Sequence, residues 1–240
     1  MKLLYLLPVA LCGVLLLLMA CDKGETEITN HSPSPTLPPD TLTYLALGDS
    51  YTIGQSVPEA DRFPNQLADN LQQNGLPMKK PVIIAKTGWT TGSLLNALAT
   101  EPVTDTYSLV TLLIGVNNLY LAKPVEEYRA EFETLLQQAI TYAGGRKYRV
   151  WVLSIPDYGY TPFGQYNQPV ITQRTNLFNA ANYEIAQQYG VNYANITEIS
   201  RLAAEQPNLL APDGLHPSGS MYRMWADLLF DPVWQALQTP

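Results

Sequence analysis

Thr43-Tyr44-Leu45-Ala46-Leu47-Gly48-Asp49-Ser50-Tyr51-Thr52 decides how this chain is read. Its first half is a short apolar run bounded by glycine, which reads as the first strand of a folded domain. Its second half places Ser50 where that strand ends and a turn begins. A serine there has an exposed hydroxyl on a fixed backbone, the setting in which a neighbouring base activates a weak nucleophile. Gly, Asp and Ser are also ordinary turn residues, so the tripeptide gains meaning only from the rest of the chain.

Histidine is scarce. The chain has two, His31 in a proline-rich stretch and His216 in Asp213-Gly214-Leu215-His216-Pro217. Imidazole chemistry in the folded part therefore falls to His216. Asp213 stands three positions earlier, and residues i and i+3 of one turn face the same side. A carboxylate so placed holds the ring tautomer and stabilises the imidazolium formed during proton transfer. The plain alternative is a turn cap beside a surface histidine.

At 240 residues, with 46% hydrophobic and 15% charged residues, the chain is long enough for one domain with tails and a real core. The formal net charge is −7 and no basic cluster stands out, which argues against nucleic acid or an anionic membrane as the electrostatic partner. The cysteines, Cys12 and Cys21, both precede the folded part. The domain thus offers no thiolate nucleophile, no disulfide and no Cys/His metal set, and we expect neither metal nor organic cofactor.

Lys2 precedes an uncharged, leucine-rich run from Leu3 to Ala20. The run has the length of a short membrane helix, but it ends in small residues at a cysteine, as cleaved signals do. Leu18-Met19-Ala20-Cys21 resembles the lipobox of bacterial lipoproteins, with Met19 an unusual residue at its position. That resemblance implies a signal peptide over residues 1–20, lipidation of Cys21 and a membrane-anchored protein of the bacterial cell envelope, its membrane and face left open. Residues 22–40 are polar and then rich in proline (Pro33, Pro35, Pro38, Pro39), so residues 21–40 read as the lipidated cysteine and an extended tether. The tether's nineteen residues reach at most about 60 Å.

From residue 41 to 240 strands and helices alternate. Continuous apolar runs at Val82–Ala85, Leu109–Ile114, Val150–Ile155 and Val191–Ala194 predict strands buried on both faces. Helical stripes lie between them, at about Val125–Ala143 after Pro124, at about Thr172–Tyr189 before Gly190, and from about Ser218 onward. This order predicts a parallel sheet between helical layers, with an active site at the carboxyl ends of the strands. Those ends carry Ser50, then Lys86-Thr87-Gly88-Trp89-Thr90-Thr91-Gly92, then Gly115-Val116-Asn117-Asn118, with Asp213 and His216 after the last strand. Singly each is an ordinary turn or cap residue; together they are the parts of a hydrolase at consecutive strand ends.

Gly48-Asp49-Ser50, Gly88, Gly115-Val116-Asn117 and Asp213-Gly214-Leu215-His216 resemble the ordered motifs of the SGNH hydrolases, the GDSL esterase/lipase family, over residues 41–240. The resemblance implies a three-layer α/β/α sandwich with a five-stranded parallel sheet of flavodoxin-like type. It implies a catalytic triad of Ser50 as nucleophile, His216 as general base and Asp213 as its orienter. The oxyanion hole would be the backbone N–H groups of Ser50 and Gly88 and the side-chain amide of Asn117. Two departures stand out: Asn118 replaces the family's usual Asp, and the second motif leaves open whether Gly88 or Gly92 supplies the donor.

Tyr51 and Trp89 flank these residues and are candidates to line a substrate pocket, or to pack against neighbouring loops. Tyr158, Tyr160, Phe163 and Tyr166 crowd the stretch from Pro156 to Pro169 and suggest a pocket wall or lid, or a packed surface loop. The expected activity is hydrolysis of a carboxylic ester, with a short-chain acyl, acetylated carbohydrate or lysolipid substrate, by a monomer held at a membrane through Cys21. The competing expectation is a non-catalytic glycan-binding lipoprotein on the same fold.

Overall fold

The computed structural model describes residues 41–239; the signal segment, Cys21 and the tether lie outside them. The described residues form one compact unit. In chain order its main elements are β1 (Tyr44–Gly48), α1 (Ser50–Ile53), α2 (Phe63–Gln73), β2 (Val82–Ala85), α3 (Thr91–Thr100), β3 (Leu109–Leu113) and α4 (Val116–Tyr120). Then follow α5 (Val125–Tyr142), β4 (Val150–Leu153), α6 (Gln168–Tyr189), β5 (Asn192–Ala194), α7 (Thr197–Arg201) and α8 (Gly219–Gln238).

The five strands form one parallel sheet in the order β2-β1-β3-β4-β5. Leu45 pairs with Val110 and Leu47 with Leu112, so β1 and β3 end side by side. The chain runs outward from β1 to β2 and then returns to β3, which puts the reversal point of the sheet between β1 and β3. Loops leaving a parallel sheet on either side of such a point diverge and leave a crevice at the strands' carboxyl ends.

Helices cover both faces. On one, α2 packs along α8, where Phe63, Tyr222 and Trp225 are buried with ring centroids 5.1–6.2 Å apart. On the other, α5 packs between α3 and α6, and Tyr128 sits 5.3 Å from Phe132 and 4.8 Å from Phe178. Each such buried side chain contributes about 1.5–3 kcal/mol of transfer free energy. Pro124 precedes the first turn of α5, and Gly144, Gly145 and Gly190 adopt positive φ where α5 and α6 end.

Three local expectations need correcting. The central strands β1, β3 and β4 are buried throughout, but β2 and β5 are edge strands: Val82 is 44% exposed, and Asn192 and Tyr193 are half-buried. Apolar content alone does not reveal which strand lacks a neighbour. Helix α6 begins four residues early, at Gln168, because Pro169 sits in the first turn, where a missing N–H costs nothing. The loop expected from Pro156 to Pro169 is partly helical, with 3₁₀ turns at Tyr158–Tyr160 and Gln165–Asn167.

Candidate active site

The carboxyl end of β1 is built tightly. A methyl group on Gly48 would lie 2.1 Å from Thr52 Oγ1 and 2.4 Å from the Leu113 carbonyl oxygen, so only glycine lets β1 turn into α1 beside β3. Asp49 caps α1, its Oδ1 accepting the Tyr51 N–H at 3.0 Å. The Asp49 side chain is buried at 1% exposure. Burial pushes its carboxyl up to about 7, against the pull of the Tyr51 and Gly115 backbone N–H groups. Ser50 opens α1, is 4% exposed, and lines a cavity at the strand ends.

Gly115, at the end of β3, has φ +130°, and a methyl group there would lie 2.6 Å from Tyr128 Cε2 and 2.7 Å from Ile155 Cδ1. The next turn presents two amides with different partners. Asn117 Nδ2 donates to the Trp89 carbonyl at 2.9 Å, and Asn117 lines the cavity. A primary amide has two N–H groups, so one remains for a ligand. Asn118 is wholly buried: its Oδ1 accepts the Thr91 N–H at 3.0 Å, and its Nδ2 donates to Thr91 Oγ1 at 2.6 Å. Thr91 Oγ1 in turn donates to Glu131 on α5. The departure at position 118 is thereby accounted for. The amide donates where a carboxylate could only accept, and the carboxylate at the end of the chain is Glu131.

The same contacts separate the two candidate glycines. Gly88 has φ +83°, borders the cavity with Ser50 and Asn117, and has open space where a Cβ would stand. Gly92 lies in the first turn of α3 away from the cavity, and a Cβ there would meet Glu131 Oε1 at 2.9 Å. Thr87 Oγ1 donates to Gln55 Oε1 at 2.5 Å, tying the Gly88 loop to the segment after Ser50. Trp89 is placed elsewhere: its backbone anchors Asn117, but its side chain lines a separate groove with Ile84, Ser93 and Glu101.

Asp213 and His216 lie in a loop closed by the Ala211 N–H donating to the His216 carbonyl at 2.8 Å. Asp213 Oδ1 accepts the backbone N–H groups of Leu215 and His216, each at 2.9 Å. Its Oδ2 lies 2.8 Å from His216 Nδ1 and accepts the Ser56 hydroxyl at 2.6 Å. Partial burial pushes the carboxyl up, but the Ser56 hydroxyl, the two N–H groups and the imidazole outweigh it and hold it down at about 2. An ionised carboxylate only accepts, so the ring proton sits on Nδ1 and Nε2 is the ring's acceptor. Tyr51 packs on the imidazole with centroids 5.0 Å apart, a second restraint on the ring.

Ser50, Tyr51, Gly88, Asn117 and His216 thus converge on one cavity of about 240 Å³, with Asp213 behind the histidine. Val116 and Leu215 add apolar wall, and Tyr120, Tyr158 and Phe163 form one side with ring centroids 6.0–6.4 Å apart. Of the aromatic loop, Tyr160 packs under Arg201, and Tyr166 is 94% exposed and does not line the cavity. Sequence reasoning missed Ser56, a non-glycine residue at φ +66° that stands 157 residues from the carboxylate it serves. It also missed Tyr120. Nothing in the local sequence marks either. Among the described residues, no group of three or more His, Cys, Asp or Glu side chains is disposed to hold a metal ion.

The model of the GDSL-like lipase/acylhydrolase family matches residues 46–224. The chain belongs to this family. It is accordingly a hydrolase of the esterase/acylhydrolase class. No curated protein matches it significantly. Solved structures share the fold at low identity. A lipase from a goat rumen metagenome is 18% identical with a TM-score of 0.66, over 81% of this chain and 98% of its own. The esterase EstA from Pseudoalteromonas is 16% identical with a TM-score of 0.60, over 81% and 97%. Axe2, an acetylxylan esterase from Geobacillus stearothermophilus, is 18% identical with a TM-score of 0.62, over 80% and 94%. Each of these three structures is matched over 94–98% of its own length.

Proposed function

We propose that the GDSL-like domain is a serine esterase in which Ser50 is the nucleophile, His216 the general base and Asp213 its orienting carboxylate. The observation that carries this reading is the Asp213 Oδ2–His216 Nδ1 contact of 2.8 Å beside a cavity that also holds Ser50, Gly88 and Asn117. Ser50 Oγ attacks the ester carbonyl carbon while its proton passes to His216 Nε2. Negative charge grows on the carbonyl oxygen. The N–H groups of Ser50 and Gly88 and the second N–H of Asn117 are the donors for it, each worth about 2.7–4 kcal/mol of barrier in comparable sites. Collapse expels the alcohol, which takes the proton from Nε2. Water then gives its proton to Nε2 and attacks the acyl-serine, and the acid leaves as Ser50 is restored.

The cavity supports a small acyl group. Its 240 Å³ falls below the range of about 300–1,000 Å³ typical of drug-sized ligands, and its walls are largely apolar. Short-chain, acetylated-carbohydrate and lysolipid esters are the candidate substrates, and the enzyme that hydrolyses them is held at a bacterial envelope membrane by a lipid on Cys21. Mass spectrometry of the mature N-terminus tests the anchor. Ser50→Ala tests the mechanism: turnover of an aryl acetate should be lost while the circular dichroism spectrum is unchanged. Retained turnover in the purified variant sinks the nucleophile assignment. Glycan binding without hydrolysis by the unmodified domain would favour the binding-module reading.

A further inference from the structure

Ser50 stands at the start of α1, whereas Asp213 and His216 stand in a loop far along the chain. Proton transfer needs the ring nitrogen within reach of Ser50 Oγ, so the two segments must be registered against each other. A misplacement of about 1 Å can cost on the order of 10²-fold in rate. Three of the four donors on Asp213 come from its own loop: the Leu215 and His216 N–H groups and the ring Nδ1. They fix the carboxylate within that loop but not relative to Ser50. The fourth, the Ser56 hydroxyl at 2.6 Å, comes from the turn that follows α1. That turn is bound to the nucleophile's own backbone. The Ser50 carbonyl accepts the N–H groups of Gly54 and of Gln55, the latter at 3.0 Å. A short path therefore leads from Ser50 through Gln55 and Ser56 to Asp213 and the imidazole. Gln55 also accepts the Thr87 hydroxyl, so the same turn touches the Gly88 loop.

Ser56 sits where glycine would be relaxed. Its φ is +66°, in the left-handed region that a β-carbon disfavours. What serine adds over glycine there is a hydroxyl, and that hydroxyl donates to Asp213. A non-glycine residue held in this region by its surroundings is a mark of functional sites. The 2.6 Å separation is the length expected of a hydroxyl on an ionised acceptor. Against the upward push of partial burial, this hydroxyl is the strongest of the contacts that hold the Asp213 carboxyl down. It shares one oxygen, Oδ2, with the ring Nδ1. We propose that Ser56 is a positioning residue of the triad, which registers the Asp213–His216 loop on the nucleophile's segment and moderates the hold of Oδ2 on the imidazolium. This rests on the serine-esterase reading above. A carboxylate oxygen with one donor fewer is a better partner for a protonated ring, so loss of the hydroxyl favours the imidazolium. Tyr51 and Tyr222 also feel the Asp213 charge, and burial raises both phenols far out of the working range; Asp49 and Arg62 act on Tyr222 in turn. These groups are common to parent and variant, so a difference between their pH profiles reads the Oδ2 contact.

The test compares Ser56→Gly and Ser56→Ala with the parent in the full chain. Glycine suits the left-handed backbone, so that variant should fold, with a circular dichroism spectrum like the parent's. Alanine keeps the β-carbon and lacks only the hydroxyl. Both should lower kcat on an aryl acetate about tenfold with KM near the parent's, because Ser56 does not line the cavity. In both, the acid limb of the kcat/KM profile should move up by about half a pH unit. An effect in Ser56→Gly alone traces to the backbone rather than the hydroxyl and overturns the proposal. So does kcat within about twofold of the parent, or a lower rate with an unmoved acid limb, the sign of a merely structural role. A readout independent of turnover keeps the two readings apart: the pH titration of the His216 ring followed by NMR, its signals assigned by their loss in His216→Gln. The midpoint should rise in both variants, and an unmoved midpoint overturns the role of Ser56 even where the parent is active. An inactive parent whose midpoint still rises on loss of the hydroxyl counts against the ester chemistry alone.

Discussion

Asp213→Asn separates orientation of the histidine from its mere presence. The carboxylate has four donors: two backbone N–H groups at 2.9 Å, the Ser56 hydroxyl at 2.6 Å, and the ring Nδ1 at 2.8 Å. Asparagine's carbonyl can still accept the two backbone N–H groups, so the loop should keep its shape. Its NH₂ then faces Nδ1 and makes that nitrogen the acceptor. The ring proton moves to Nε2, where it blocks transfer from Ser50. The same exchange in a serine triad with intact geometry lowers kcat about 10⁴-fold, equivalent to about 5 kcal/mol of barrier. KM should change little, because Asp213 does not line the cavity. Stability should shift in a defined direction. The carboxyl is held at about 2 against an ordinary 3.8, so its contribution is present above the ordinary value and disappears as pH falls through 2. With the side chain 30% exposed, solvent screening discounts that contribution to about 1 kcal/mol. Aryl-acetate kinetics at pH 7–8, with urea unfolding at pH 7 and pH 3, reads both effects. A variant with kcat within tenfold of the parent would refute the orienting role.

Three further outcomes follow from the structure. Asn118→Asp places a buried carboxylate where an amide donates and stops Thr91 from donating to Glu131; it should cost about 1–3 kcal/mol in urea unfolding, largely recovered by adding Glu131→Gln. Gly115→Ala should cost about 2–4 kcal/mol or prevent folding, from contacts of 2.6–2.7 Å at φ +130°, whereas Gly88→Ala, with open space at φ +83°, should cost about 1–2 kcal/mol; melting temperatures compare them. Asp49 is pushed from 3.8 up to about 7, so the folded state holds its proton more tightly than the unfolded chain. The stability it contributes is complete below 3.8 and is lost as pH rises through 7, by up to about 1.4 kcal/mol per pH unit. Asp49→Asn should flatten that slope between pH 4 and 8, and an unchanged slope would show that another group titrates.

Much of the site was legible because its residues sit where apolar runs stop. Ser50, Gly88 and Asn117 each follow a strand, and a parallel sheet gathers its strand ends at one edge. Asp213 and His216 were legible as a pair because three residues separate them and one loop holds both. Ser56 and Glu131 were not, since each matters only through a partner brought near by packing: 157 residues away for Ser56 and 40 for Glu131. Tyr51 and Trp89 carry the same two expectations in the sequence, and only packing places Tyr51 at the cavity and Trp89 in a separate groove. Adjacency to Gly88 says nothing about the side of the loop on which the ring emerges.

By itself the sequence determined the strand and helix order, the chemical identity of the groups, and the single histidine available to the domain. These follow from local periodicity, turn chemistry and a count. Only the tertiary structure decided that Gly88 rather than Gly92 faces the cavity, that Asn118 works through Thr91 to Glu131, and that Tyr120 joins Tyr158 and Phe163 in one wall. Each depends on sheet register and on the packing of α3, α5 and α6. Those bring together residues far apart in the chain, at angles that no local pattern encodes.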